Sequence, residues 1–424
     1  MSHKERNVLS KAPKGTSDIL PSQIDYWYHA EKIIKDVLQT YGYREIRTPA
    51  FENTELFVRG IGETTDIVNK EMFTFQDRKG RSLTLRPEGT APVVRAYLEH
   101  NLSKENPLVK LFYLGNMFRC EKPQSGRYRQ FNQFGLEAIG SQEPLTDAEI
   151  IAASLSVYKR LGLKNLSLMV NSVGCRKCRP EYLNALKNYF REKRDRLCAD
   201  CRERYDKNPL RILDCKKEQC QIEIKNSPSI FDYLCEDCRI HFQKLREYLD
   251  HLDISYQVNP LLVRGLDYYT KTAFEIISDE LGAQNAVGGG GRYDYLVEEL
   301  GGKHTPAVGF AAGMERMIAT MERQGIQIPQ WEGIKVFVAV ASSFDIPPAF
   351  KIISNLRENG ISAEMDFLNK SLKSQMRSAN KMNAPFVVIV GQEELKVQKV
   401  MIKNMKNGEQ EKITIDQICS YVNK

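Results

Sequence analysis

The sequence predicts a multidomain chain of mixed α/β and α+β class, on three observations. Between Phe112 and Glu137, two segments alternate their side chains at the strand period of two around a long basic loop. From Gly174 to about Pro260 the chain turns cysteine-rich and charged, with few long apolar runs. From Ile334, strand-like runs such as VFVAVA and FVVIV alternate with helical spacing, the pattern of a compact α/β domain with a mixed sheet. These shifts divide the 424 residues into a core in two parts (1–173 and 261–325), an insertion (174–260), a linker (326–333) and a terminal domain (334–424).

Composition sets the class. With 42% hydrophobic and 27% charged residues, the chain has enough apolar surface for several cores. The net charge of +7 permits a polyanionic partner without demanding one. No apolar run approaches a membrane span and MSHKERNVLSKAPKG has no signal-peptide core, so the cytoplasm is expected, with no membrane role.

Taken in order, Gln23 to Thr40 carries Ile24, Trp27, Ile34, Val37 and Leu38 at helical spacing. A strand from Tyr43 should then stop at Pro49. Arg78–Arg81 reads as a turn between two strands, and LRPEGT follows the second. There Glu88 and Thr90 flank Gly89, whose missing side chain lets backbone approach a ligand. A helix N-terminus, with Glu88 near its dipole, fits the same residues. In the hairpin, Tyr113, Met117, Arg119 and Glu121 share one parity, and Phe131, Gln133, Gly135 and Glu137 share one face. The loop between adds Lys122, Arg127 and Arg129 beside Gly126. Planar guanidiniums suit paired phosphate oxygens, while Gln133 and Glu137 suit a cationic or hydrogen-bonding ligand. A solvated hairpin face would show the same charges.

Thr146–Leu161 reads as a helix and NLSLMVN as a strand. Beyond the insertion, two short extended segments surround Arg264, Tyr268 and Tyr269. Four glycines then precede Arg292 and Tyr293, either to cradle phosphate or to let strands pack closely. TPAVGFAAGMERM reads as one helix, with Phe310, Met314, Met317, Ile318 and Met321 buried. Gly309, Ala312, Gly313 and Arg316 would share another face, open to a flat ligand, although Arg316 would equally serve a structural ion pair.

Eight of the ten cysteines lie between Cys175 and Cys238. Three CxxC pairs (175/178, 198/201 and 235/238) and the pair Cys215/Cys220 fit two sites of four thiolates. Joining 198/201 with 215/220 inside 175/178 with 235/238 avoids crossing the chain, so structural Zn2+ is expected there. Reduced thiols without metal are the plainer alternative.

FRCEKPQSGRYRQFNQFGLE closely resembles motif 2 of class II aminoacyl-tRNA synthetases in its histidyl-tRNA synthetase form. LRPEGT, RGLDYYT and GGGGRYD extend the likeness, and it runs from KGTSDILP to the terminal domain. The resemblance implies an antiparallel-sheet catalytic core, an anticodon-binding terminal domain and a homodimer formed through the early helix and strand. It also implies that ATP with Mg2+ and L-histidine give histidyl-adenylate, from which histidine passes to its tRNA. By the same likeness Arg119, Arg127, Arg264 and Arg316 meet phosphates, and Glu121 and Phe131 meet adenine. Glu88, Gly89, Thr90 and Gln133 hold histidine, with Glu137 and Tyr269 on the imidazole and Tyr268 and Tyr293 in the same motifs. Asp267 or a neighbouring acid would pair with Arg264 if that arginine were only structural. In the terminal domain Lys396, Lys399, Lys403 and Lys406 would meet RNA phosphates or merely water. Two features depart from the family: Asn132 stands where many relatives have His, and the cysteine wealth is not general. A synthetase-like regulatory subunit of histidine biosynthesis is the alternative, but such subunits typically lack RGLDYYT and the terminal domain.

Overall fold

The computed structural model describes residues 11–62, 65–121, 127–278 and 285–423, so Lys122 and Gly126 lie outside the described residues. The chain forms two compact units, Met1–Ile328 and Pro329–Lys424.

The first unit is built on an eight-stranded sheet. Its order is Arg44–Glu45, Val109–Phe118, Gln130–Ile139, Ala307–Gly313, Ala286–Arg292, Thr270–Ser278, Leu166–Ser172 and Gln257–Val258. The six central strands pair antiparallel, and the short outermost strands join parallel. Alternation sorts the two faces. Phe112, Phe134, Leu136, Phe274, Ile276, Val308 and Phe310 point into the main core. Helices Ile24–Thr40 and Pro144–Arg160 cover that core through Trp27, Ile34, Leu38, Ile151, Val157 and Tyr158. Residues of the opposite parity, among them Gln133, Glu137 and Gly309, face the other way: Gln133 and Gly309 line a cavity, and Glu137 is buried against Thr90 and Tyr293, which also line it.

A smaller sheet of Phe51–Asn53, Ser82–Leu85 and Phe73–Gln76 lies in the same unit. Its turn forms as the sequence suggests. Asp77 accepts the N–H groups of Lys79 and Arg81 at 2.8 and 2.9 Å, and Gly80 takes a φ of +78°.

Three features differ from the sequence reading. Ala307–Gly313 is a strand, and the helix begins only at Met314. Small residues fit either period, and pairing decides: this strand lies between Gln130–Ile139 and the glycine strand, where a wider one would collide. The Tyr43–Pro49 stretch contributes just two paired residues, opposite Leu111 and Phe112. Helix Glu236–His251, which composition assigns to the insertion, buries Phe242, Leu245 and Leu249 in the main core.

The second unit has a five-stranded sheet, ordered Ala363–Met365, Val336–Val340, Phe386–Val390, Lys399–Asn404 and Gln410–Thr414. The first three strands are parallel and the last two antiparallel. Helices Ile346–Glu358 and Leu372–Lys381 connect the parallel strands, so this is the mixed α/β sheet expected from the sequence.

Candidate active site

A cavity of about 350 Å³ opens over the second face of the large sheet. It draws residues from the LRPEGT, hairpin, RGLDYYT, glycine-run and TPAVGFAAGMERM segments, including Glu88, Arg119, Gln133, Arg264, Tyr269, Tyr293 and Arg316.

One end is built on buried carboxyls. Glu88 accepts the backbone N–H groups of Thr90 and Ala91 at 2.7 and 2.8 Å, at the start of helix Thr90–Glu99. The two readings of LRPEGT therefore coexist: this is a helix N-terminus, and it lines the cavity. Gly89 lies so close to the Tyr113 ring that any side chain there would collide with it. Glu137 is fully buried and accepts from Thr90 Oγ1 at 2.7 Å and from the Tyr293 hydroxyl at 2.5 Å. Burial pushes the Glu137 carboxyl up to about 8, although both hydroxyls favour its charged form. Burial likewise raises Glu88. Gly309 leaves the room that the Glu137 carboxylate occupies. The Tyr268 ring meets that of Tyr269 at a tilt and that of Tyr293 edge-on, with centroids 4.7 and 5.6 Å apart. It is Tyr293, beside the glycine run, that bonds Glu137 here, while Tyr269 lines the cavity wall. Gln133 accepts from the Tyr113 hydroxyl at 3.4 Å.

The other end is cationic. Arg119 donates to the Pro87 carbonyl at 2.9 Å and lies 5.3 Å from the centre of the Phe131 ring. Arg127 pairs with Glu121 at 3.0 Å. Arg316, on the first turns of its helix, donates to the Ala286 carbonyl at 3.0 Å. Burial lowers the Arg316 guanidinium, and the charges of Arg127 and Arg119 lower it further. Such a gathering of cations favours an anion that they can share.

Arg264 pairs with Glu275 at 2.5 Å, so the acid beside it is Glu275, one of the neighbouring acids the sequence left open along with Asp267. Asp267 instead accepts from Asn208 at 2.9 Å, because the chain turns between Arg264 and the strand beginning at Thr270. Burial alone would lower the Arg264 guanidinium, but Glu275, with Tyr269 and Asp214, outweighs it and the net shift is upward. Gly289 lies against this guanidinium, and Gly290 against Gly309 and Phe274. The glycine run thus gives both close packing and the space for Arg264.

Asn132, of the opposite parity, donates through its backbone and side chain to Glu315 at 2.7 and 3.0 Å, tying the hairpin to the helix that carries Arg316. Sequence reasoning did not single out Glu275, for which an acid inside the apolar run AFEIIS was the available signal. It also missed a buried network: Arg292 holds Asp147 at 2.8 Å and Asp294 at 3.0 Å, and His241 holds Asp147 at 3.0 Å. Asp147 and His241 are so distant from Arg292 in sequence that they leave no local pattern.

The eight thiols of the insertion gather into two sets, Cys175/Cys178/Cys235/Cys238 and Cys198/Cys201/Cys215/Cys220. Within each set all sulfurs lie within 4.8 Å of one another. Each set offers four soft donors, a suitable complement for one tetrahedral ion.

The family profile described as histidyl-tRNA synthetase matches residues 15–317, and one described as anticodon binding domain matches residues 335–424. The histidine–tRNA ligase of Halothermothrix orenii is 53% identical over 98% of this chain and 99% of its own length. That of Caldanaerobacter subterraneus subsp. tengcongensis is 52% identical over 97% of this chain and 99% of its own. The structure of apo S. aureus histidyl-tRNA synthetase superimposes with a TM-score of 0.82 at 39% identity, covering 98% of this chain and all of that one. Matched along nearly its whole length by the family profiles and by curated histidine–tRNA ligases, this chain belongs to the histidyl-tRNA synthetase family and is a histidine–tRNA ligase.

Proposed function

We propose that the cavity joins L-histidine to ATP as histidyl-adenylate and that the enzyme then passes histidine to the terminal ribose of its tRNA. The observation that carries this reading is the polarity of this cavity, whose walls combine the buried Glu88 and a cluster of tyrosines with Arg119, Arg127, Arg264 and Arg316. Glu137 offers a hydrogen-bonding group for the imidazole, with Tyr269 beside it, and Glu88, Thr90 and Gln133 suit the amino group. Tyr268 and Tyr293 shape this pocket, and Gly89 lets its backbone come close. Phe131 and Glu121 suit adenine.

The histidine carboxylate is already ionised, so the first step needs no activated nucleophile. It attacks the α-phosphorus, the bond to the β-phosphate oxygen breaks, and pyrophosphate leaves. The obstacle is an anion approaching a polyanion. At an effective dielectric near 20, unlike charges about 4 Å apart attract by roughly 4 kcal/mol, so a few guanidiniums offset repulsion of similar size. Arg119 and Arg264 serve the α-phosphate, and Arg316 and Arg127 serve the remaining phosphates. Mg2+ enters as part of the MgATP substrate. In the second step the ribose hydroxyl attacks the activated carbonyl and AMP leaves. The terminal domain would read the anticodon arm, and the enzyme would act as a cytoplasmic homodimer.

Pyrophosphate exchange and tRNA charging, assayed with histidine, threonine, proline and glycine in parallel, test this reading. Both activities with histidine alone are expected. Absence of both from folded, ATP-binding protein would favour a regulatory subunit, and charging by another amino acid would reassign the pocket.

A further inference from the structure

Zinc held by four thiolates at about 2.3 Å places its sulfurs about 3.8 Å apart. Neighbouring sulfurs here lie at that spacing: Cys175 is 3.8 Å from Cys178 and 3.7 Å from Cys235, and Cys178 is 3.8 Å from Cys238. In the other set Cys198 is 3.9 Å from Cys215. A disulfide would need about 2.05 Å. Cys178, Cys198 and Cys235 each stand at the N-cap of a helix, where the dipole favours a thiolate. Backbone N–H groups also aim at sulfur, from Cys175 to Cys178 at 3.2 Å and from Cys198 to Cys220 at 3.3 Å. Four thiolates on Zn2+ leave a net double negative charge, and cations stand close: Arg179 near the first set, Lys217 and Arg204 near the second. The core around the sulfurs is small, built on Tyr182, Leu186, Phe190, Ile212 and Ile224, so a metal would supply order that burial alone does not.

Each set also sits at the base of a contact to the cavity. Arg179, adjoining Cys178, donates to the carbonyls of Val173, Gly174 and Tyr269. Arg211, four residues before Cys215, donates to the Arg264 carbonyl at 2.9 Å. Asp214, adjoining Cys215, lines the cavity itself. The Arg264–Tyr269 loop is thus held at both ends by side chains rooted beside the thiols.

We propose that the two sets are closed structural zinc sites which brace the Arg264–Tyr269 loop from its two ends, and so position the Arg264 guanidinium and Tyr269. Zinc binding displaces the remaining thiol protons to solvent and leaves no open coordination position. The bracing role rests on the reading of this loop as part of the histidine and phosphate pocket; the metal sites do not.

Metal analysis of untagged, full-length protein should find two zinc ions per chain. Co2+ exchanged into the sites should show thiolate charge-transfer and intense tetrahedral visible bands. Cys175→Ser with Cys235→Ser, or Cys198→Ser with Cys215→Ser, should each leave one ion. Far less than one zinc per wild-type chain, or two ions retained in either pair of variants, would overturn the sites, and neither readout depends on activity. Arg211→Met tests the brace, because Arg211 binds no metal. It should keep two zinc ions, slow pyrophosphate exchange about tenfold or more and leave the KM for ATP near wild type, with partial recovery in Arg211→Lys. Unchanged kinetics per folded molecule, even with a lowered Tm, would overturn the brace.

Discussion

Replacing Glu137 by glutamine should make the ligand-free protein more stable near pH 8 and leave it little changed near pH 5. The carboxyl is buried without a cation among its hydrogen-bond partners, and its pKa rises from 4.5 to about 8. Below pH 4.5 both folded and unfolded chains hold the proton, so this group gives stability no pH dependence there. Between 4.5 and 8 the unfolded chain has released the proton while the folded one keeps it, and stability falls as pH rises. The full difference of 3.5 units (8 − 4.5), at about 1.36 kcal/mol per unit, is about 5 kcal/mol. Glutamine does not titrate and can still meet the Thr90 and Tyr293 hydroxyls, which can reorient as donors or acceptors. Denaturant unfolding of both proteins from pH 5 to 8 measures the effect, and the difference between the curves isolates Glu137 from every other titrating group. The two curves should diverge by several kcal/mol. Curves that run parallel across this range would refute the argument that Glu137 is held as a neutral acid. The same variant should bind ATP normally but activate histidine poorly, since an amide cannot take up charge when the imidazole binds.

Three further outcomes follow from the site. Arg264→His should slow adenylate formation by a factor of hundreds, about 3–4 kcal/mol of lost charge stabilisation, with much less effect on transfer from preformed adenylate; pyrophosphate exchange near wild type would refute this. Ending the chain at Ile328 should spare pyrophosphate exchange far more than tRNA charging, provided circular dichroism shows the first unit folded. Equal loss of both would remove the division of labour between the units. Gly309→Ala should drive a methyl group into the Glu137 carboxylate, and so raise the KM for histidine more than that for ATP; equal changes in both would show that the cavity adjusts as a whole.

Much of this arrangement was legible because the relevant signals are local. Helix Ile24–Thr40 begins within a residue of its apolar periodicity, and the hairpin parity separated Gln133 and Glu137 from Asn132 correctly. Tertiary pairing hid the rest. Ala307–Gly313 has the small residues of a helix packing face, yet two neighbouring strands make it a strand. The partner of Arg264 is 11 residues away at Glu275, across a turn that no Gly-Pro or Asn-Gly pair announces. Arg292 and Asp147 are 145 residues apart, and only the packing of helix Pro144–Arg160 on the sheet brings their charges together.

The sheet's parity joins stability to function. In Gln130–Ile139, Phe134, Leu136 and Ala138 fill the main core, while on the opposite parity Gln133 lines the cavity and Glu137 is buried against Thr90 and Tyr293, which line it. A slip of one residue would bury Gln133 and Glu137 among Phe310 and Tyr158 and expose the phenylalanine to the ligand. Burying those polar groups without partners costs several kcal/mol, and losing the apolar burial of Phe134 and Leu136 adds a similar amount. The apolar core therefore fixes the register, and the register fixes which side chains meet the ligand. Glu137 can stay buried only in that register, because Gly309 lies opposite it and the Thr90 and Tyr293 hydroxyls converge on its two oxygens. Its raised pKa is a consequence of folding forces acting on the far face of the same strand.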